Sequence, residues 1–486
     1  MGKLPLDQII CGDAAGVMKT FPENSVHAIV TDPPYGLEFM GKEWDKFKEG
    51  KLSNRWQQAG KPSMERFDGR NDWHSKPKPR MINDIESMKN YQQFSFEWAA
   101  EALRILKPGG HLLSFGGTRT YHRMVCAIED AGFEIRDCIF WCYGSGFPKS
   151  LNIGKAVDKL QGDEREVVGD NPNVRPNCNP QDNTLHEYGS TGKTAPITKG
   201  TSEWEGCGTA LKPAVEPIVL ARKPLSEKSV AENVLKWGTG GLNIDGCRVE
   251  TQDNLSGGAY TGEGLMKHIA DHRWGFRKRD GEYQQPIGRF PANLIHDGSD
   301  EVVGLFPESN GRFGAINTGS VKFKPGEYSK GQKDTGGTKD SGSAARFFYC
   351  AKASREERNM GLDGFEEKEM PHSTAMKCAN CGLLILCGTG QPTCKCVVKK
   401  EIRQKAKNIH PTVKPVALME YLIRLVTREG QLVLDPFVGS GTTCIAARKL
   451  LRCYIGIDNN EEYCRIARQR LASIPSKLDT FFEANP

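Results

Sequence analysis

The sequence predicts an α/β fold built on a doubly wound, mostly parallel sheet, and three observations carry that expectation. Short apolar runs alternate with helical patterns across residues 6–145. The same alternation returns across 408–473. Each zone also holds a polar motif at a strand's carboxyl end, where open parallel sheets bind ligands. With 486 residues and 53.8 kDa, the chain has room for two or three domains.

In the first zone, 8–11 and 26–31 read as buried strands with a short helix, 14–20, between them. Residues 96–106 have helical periodicity and meet Lys107-Pro108-Gly109-Gly110, a stop signal. Strand 111–115, helix 121–131 and strand 135–143 follow. Residues 36–80, polar and rich in Lys, Asp and Trp, read as a long loop directly after a candidate site motif. Across 150–345 periodicity fades into Gly, Asn, Asp, Thr and Lys, with apolar islands at 214–221 and 290–295. Within it, 189–194 resembles the end of a phosphate-binding loop, but Glu187 stands where that loop requires glycine, so nucleotide hydrolysis is disfavoured. The last zone reads as helix 416–426, strand 431–434, helix 442–451, strand 454–457 and helix 461–471. It is too short to make its own core, so it is expected to complete the N-terminal sheet. The expected divisions are 1–149, 150–345, 346–407 and 408–486.

Composition narrows the class. Hydrophobic residues are 38% and charged residues 26%, as in a soluble protein with a core, and the 53 glycines follow no collagen period. No run approaches the roughly 18 apolar residues of a membrane span, and the N-terminus lacks a secretory pattern, so a cytoplasmic location is expected. A net charge of +6 permits a nucleic-acid partner without establishing one. The 16 cysteines are scattered except for Cys378, Cys381, Cys387, Cys394 and Cys396, and clustering in such a chain suggests metal before disulfides.

Two motifs carry chemistry. Asp435-Pro436-Phe437-Val438-Gly439-Ser440-Gly441-Thr442-Thr443 joins a strand to a helix, with glycines that let a ligand approach the backbone. Asp458 ends the next strand, where an acid can take both hydroxyls of a ribose. The other motif, Thr31-Asp32-Pro33-Pro34-Tyr35-Gly36, follows an apolar strand. Its prolines fix φ and remove N–H donors, leaving Asp32 and the Pro33 carbonyl as acceptors for both hydrogens of an exocyclic amine. Tyr35 offers a ring on which the amine's heterocycle can stack.

Together these residues resemble the amino-directed DNA methyltransferases that use S-adenosylmethionine. Asp32-Pro33-Pro34-Tyr35 is similar to their catalytic motif and 435–441 to their cofactor loop. The order, catalytic motif first, resembles the permuted β class. Ile10-Cys11-Gly12-Asp13 is similar to the strand end that lies near the cofactor adenine, and His410-Pro411-Thr412-Val413-Lys414-Pro415 to the segment introducing the cofactor subdomain. The resemblance implies a Rossmann-like methyltransferase sheet and S-adenosylmethionine as cofactor, held by Asp13, Lys414, Asp435, Phe437, Gly439, Ser440, Gly441, Thr442 and Asp458. It also implies double-stranded DNA as substrate, target recognition within the large irregular insert 150–345, and a homodimer; a restriction endonuclease partner is left open. Asp32, Pro33, Pro34 and Tyr35 are the expected catalytic residues.

The chemistry is consistent with that implication. A base must leave the duplex before its amine can reach a methyl donor. Stacking on Tyr35, worth about 1–3 kcal/mol, offsets part of that cost. Hydrogen bonds to Asp32 and the Pro33 carbonyl favour a pyramidal nitrogen, and transfer is direct displacement aided by positioning. Adenine N6 is favoured over cytosine N4, whose enzymes more often carry Ser in place of Asp32. Methylation of a protein glutamine would want Asn there. A non-catalytic DNA-binding protein on a decayed scaffold would not keep both motifs. Separately, Cys378, Cys381, Cys394 and Cys396 have the spacing of a small zinc knuckle with four thiolates, although Cys387 is an alternative ligand. Lys399, Lys400, Arg403, Lys405 and Lys407 after them are a candidate phosphate-contacting run.

Overall fold

The computed structural model describes residues 4–36, 85–146, 150–169, 197–251, 255, 286–310, 341–351, 355–366, 368–378, 384–385, 399–410 and 412–475. The loop expected at 36–80, apart from Gly36, and the 189–194 segment lie outside them. The chain divides into two compact units, one of residues 1–144, 215–354 and 414–486, the other of 145–214 and 355–413.

The first unit contains a nine-stranded sheet. Numbering only its strands, they are β1 (Gln8–Cys11), β2 (Val26–Thr31), β3 (Leu106–Phe115), β4 (Glu134–Cys142), β5 (Val215–Arg222), β6 (Leu294–His296), β7 (Tyr349–Cys350), β8 (Leu432–Asp435) and β9 (Cys453–Asp458). Their spatial order is β1-β9-β8-β2-β3-β5-β4-β6-β7. All neighbours pair in parallel except at β5, which runs antiparallel between β3 and β4. The C-terminal strands β8 and β9 are seated between β1 and β2, so the two ends of the chain build one sheet. The doubly wound, mostly parallel architecture expected from the alternation is therefore what the chain forms.

Seven helices of this unit are α1 (Ala14–Met18), α2 (Ile85–Ile105), α3 (Tyr121–Asp130), α4 (Val230–Trp237), α5 (Val416–Val426), α6 (Thr442–Lys449) and α7 (Glu461–Ala472). Helix α2 buries Met88, Tyr91, Ser95, Trp98, Ala102 and Ile105, residues three or four apart that make one face, against a core with Ile29, Leu112, Leu434 and Ile457. It starts eleven residues before its expected beginning, because Tyr91 and Ser95 continue that face through a polar-looking sequence. The helix ends at Ile105, as the stop signal Lys107-Pro108-Gly109-Gly110 implies, but the strand begins at Leu106 and not at 111. Val26 pairs with Leu106 and Ala28 with His111, so the four residues bulge from a continuous β3. Gly109 adopts φ +76°, and a Cβ on Gly110 would lie 2.8 Å from the His27 carbonyl, which explains the glycines.

The zone expected as one insert, 150–345, is divided: its apolar islands become β5 and β6, in the sheet, while 150–214 belongs to the other unit. In that second unit the helix Ile153–Gln161 is capped by the Asn152 side chain. Arg165 there donates to Asp158 and, at 2.8 Å, to Glu205. An antiparallel sheet of Lys368–Cys378, Leu384–Ile385 and Lys399–Ala406 also belongs to it, and the basic run, except Lys407 just beyond, falls on its last strand. Among the described residues no helix is long and apolar enough to cross a membrane.

Candidate active site at the carboxyl edge of the sheet

Because β1, β9, β8 and β2 are adjacent and parallel, their carboxyl ends bring Asp13, Asp458, Asp435 and Asp32 to one edge. Cys11 is in register with Asp458, Asp435 with Gly456, and Leu434 with Ile29. The edge is sewn laterally: Thr31 donates through Oγ1 to Asp435 at 2.6 Å, joining residues 404 positions apart. Strand β5 runs the other way, so its start arrives where its neighbours end. Glu216, in register with Trp141, thereby joins this edge.

Asp32 is the centre of a four-membered cluster. The Tyr35 hydroxyl lies 2.7 Å from Asp32 Oδ1 and 3.0 Å from Glu216 Oε2. The ammonium of Lys414, only 8% exposed, donates to Asp32 Oδ2 at 2.6 Å and sits 3.1 Å from Glu216 Oε2. It also lies 4.8 Å from the Phe115 ring centre and 5.6 Å from that of Tyr35. Burial pulls the Lys414 ammonium downward, but Asp32 and Glu216 outweigh it and hold its pKa above the ordinary value. Burial, then the two carboxylates, pushes the Tyr35 hydroxyl well above the usual phenol range, so it is a neutral donor. Lys414, expected with the cofactor loop, is thus placed in the Asp32 cluster.

The glycine loop is held differently. Buried Asp435 accepts from Thr31, from Thr443 Oγ1 at 2.5 Å and from the Phe437 N–H at 3.0 Å. Burial pushes its pKa up to about 7, against the pull of those donors. Its carboxylate is a brace between β2, β8 and the start of α6. Asp458 accepts from the Gly439 N–H at 2.9 Å and the Asn460 N–H at 2.8 Å, and burial moves its pKa upward against both. Gly439 and Gly441 have φ of +50° and +88°, and a Cβ on Gly441 would meet Ala467 of α7 at 2.9 Å. Fully buried Arg470 donates to the Ser440 carbonyl at 2.6 Å, to its hydroxyl at 3.1 Å and to the Thr442 hydroxyl at 3.3 Å, fixing the loop from behind. The Phe437 ring packs edge-on to Trp98 at 5.7 Å.

Asp13 is exposed and caps α1, accepting from the Gly16 N–H at 2.8 Å. Pro33 is buried and Pro34 half-buried. Of the expected zinc ligands, Cys381, Cys394 and Cys396 lie outside the described residues, as does Cys387, and Cys378 is described only as the last residue of its strand. Among the described residues no group of three or more His, Cys, Asp or Glu is arranged to hold a metal ion. Glu216 and Arg470 are site residues outside both motifs, and Thr31 and Thr443, though inside them, were given no role there. The one available signal for Glu216 was an acid inside an apolar island.

A family model described as DNA methylase matches residues 26–227 and 308–469. Type II methyltransferase M.HindIII of Haemophilus influenzae is 23% identical over 473 residues, covering 96% of this chain and 95% of that one. Type II methyltransferase M2.DpnII of Streptococcus pneumoniae is 56% identical over 62 residues, 13% of this chain and 23% of its own. Among solved structures, PvuII DNA methyltransferase (cytosine-N4-specific) aligns over 98% of this chain and 90% of its own, with a TM-score of 0.38 and 13% identity.

Proposed function

The chain belongs to the DNA methylase family, and from that premise we propose that it transfers a methyl group from S-adenosylmethionine to the N6 amine of a flipped-out adenine in double-stranded DNA. The observation that carries this reading is the Thr31–Asp435 hydrogen bond, which sets the Asp32-Pro33-Pro34-Tyr35 turn directly beside the glycine loop. Asp458 suits a ribose: each of its oxygens accepts one backbone N–H and keeps a lone pair for a hydroxyl. Asp13, Phe437, Gly439, Ser440, Gly441 and Thr442 complete the cofactor side. S-adenosylmethionine, when bound, supplies an electrophilic methyl group.

The residues of the chain do the rest. Asp32 and the Pro33 carbonyl accept the hydrogens of the target amine and hold its lone pair toward the methyl group. Prolines 33 and 34 keep that strip rigid, and the Tyr35 ring stacks on the flipped base. Asp32 in place of Ser favours adenine; cytosine N4 is the second reading. The order of the two motifs supports the permuted β class. Sequencing DNA from cells expressing the protein, with modification-aware detection, tests base and recognition sequence together. Methylated adenine in one recurrent sequence is the expected result.

Three subsidiary proposals accompany this reading. The chain acts as a homodimer reading a two-fold sequence, which light scattering with and without DNA checks. Cys378, Cys381, Cys394 and Cys396 hold one structural zinc ion, which elemental analysis of protein purified without chelator checks. Residues 150–345 contribute to target recognition.

A further inference from the structure

We propose that Glu216 is a positioning residue that exchanges two donors with Asp32, taking over the Tyr35 hydroxyl and the Lys414 ammonium when a target amine reaches the Asp32 carboxylate. The inference rests on the reading that Asp32 accepts the amine. Both Asp32 oxygens are already engaged, Oδ1 by Tyr35 at 2.7 Å and Oδ2 by Lys414 at 2.6 Å. An amine cannot displace a buried ammonium unless the ammonium has another anion to turn to, since a buried charge left unpaired is strongly disfavoured. The structure supplies one. Tyr35 and Lys414 both lie within reach of a single Glu216 oxygen, Oε2, at 3.0 and 3.1 Å.

The exchange is suited to its task in two ways. A phenol has one hydrogen, so Tyr35 serves one carboxylate at a time and switches by rotating its O–H. The cluster of one ammonium and two carboxylates keeps the same net charge whichever carboxylate the ammonium faces, so no charge enters or leaves the buried edge. What changes is where negative charge is available. As the nitrogen–carbon bond forms and the carbon–sulfur electron pair stays on sulfur, the amine nitrogen gains positive charge until its proton leaves to water. Asp32 stabilises that charge fully only when Lys414 has turned to Glu216.

The test compares wild type, Glu216→Gln, and Glu216→Gln combined with Lys414→Met, all full-length, on unmethylated genomic DNA with radiolabelled methyl donor. Without the second carboxylate, Lys414 stays on Asp32, and the single variant should lose kcat by about 100-fold. Its KM for the methyl donor, its DNA affinity by fluorescence anisotropy and its thermal midpoint should stay close to wild type. Removing the ammonium as well should free Asp32, so the double variant should be at least about fivefold faster than the single one, a coupling that a merely structural role does not produce. A single variant within about twofold of wild type, or a double variant slower than the single one, overturns the exchange while leaving the methyltransferase reading intact. A wild-type chain that methylates no DNA removes that reading, and the exchange with it.

Discussion

Asp32 and Asp435 stand at the ends of neighbouring strands, yet the chain treats the two carboxylates in opposite ways. Asp32, its side chain 19% exposed, faces an ammonium and a hydroxyl that a second carboxylate shares. Asp435 is 2% exposed and is held by two threonine hydroxyls and a backbone N–H, with no cation among these partners and a pKa near 7. On the proposed reading, the carboxylate that meets a substrate is kept with exchangeable, charged partners. One meant to brace a loop is buried among neutral donors and tolerates protonation. Asp458 lies between these cases, bonded to two backbone N–H groups but with lone pairs to spare.

Substitutions break that comparison in a graded order. Asp32→Ala should reduce methyl transfer by at least about 100-fold while cofactor affinity stays near wild type, because the lost acceptor acts on the amine. Steady-state rates alongside isothermal titration check both halves. Asp435→Ala should show the reverse emphasis, destabilising the fold by about 3 kcal/mol through loss of a buried acceptor that three donors require. Asp435→Asn should cost less, since the amide keeps one acceptor oxygen, and chemical denaturation ranks the two. Asp458→Ala should weaken cofactor binding about 10- to 100-fold, from charge-assisted hydrogen bonds worth about 1.5–3 kcal/mol. Unchanged affinity in a titration would remove this acid from the cofactor side.

The smallest effect is a pH dependence of stability. Burial holds the His27 and His111 imidazoles down at about 4, with Lys107 acting on the first and Arg222 and Arg136 on the second. Unfolded imidazoles bind protons near 6.5, so between about 4 and 6.5 the unfolded chain holds two extra protons and stability falls as pH drops. Asp435 works the other way: its folded pKa of about 7 exceeds the unfolded value, so the native state holds one extra proton across that window. Asp458, also raised by burial, acts with Asp435, while Asp297 and Glu205, held low by their hydrogen bonds, act with the imidazoles, so the destabilising side prevails. Lowering the pH from 6.5 to 4.5 should therefore cost on the order of 2 kcal/mol, and His111→Gln should flatten the slope. Urea melts across that range check the sign; stability rising toward acid would contradict it.

The fold was legible where apolar runs were well bounded, as at β2, β8, β9 and α5, because an inner strand buried on both faces needs little else. It was not legible at β6 and β7, whose three and two residues are too short to show a period. The bulge at 107–110 misled for a physical reason: Pro and Gly serve a turn and a bulge equally well. The site was legible where its residues are contiguous. Glu216 and Arg470 come from a reversed strand and a distant helix, and only tertiary pairing brings them to the edge; the acid in an apolar island was the sole local trace of Glu216, and Arg470 left none.

The most direct test of the central claim, that Asp32 presents a base amine to a methyl donor held beside it, is mass spectrometry of nucleosides from DNA of cells expressing wild type or Asp32→Ala. N6-methyladenine is expected with the wild-type chain and none above background with the variant. N4-methylcytosine in its place would transfer the claim to the other amine. Methylated base at wild-type level from the Asp32→Ala protein would contradict the account.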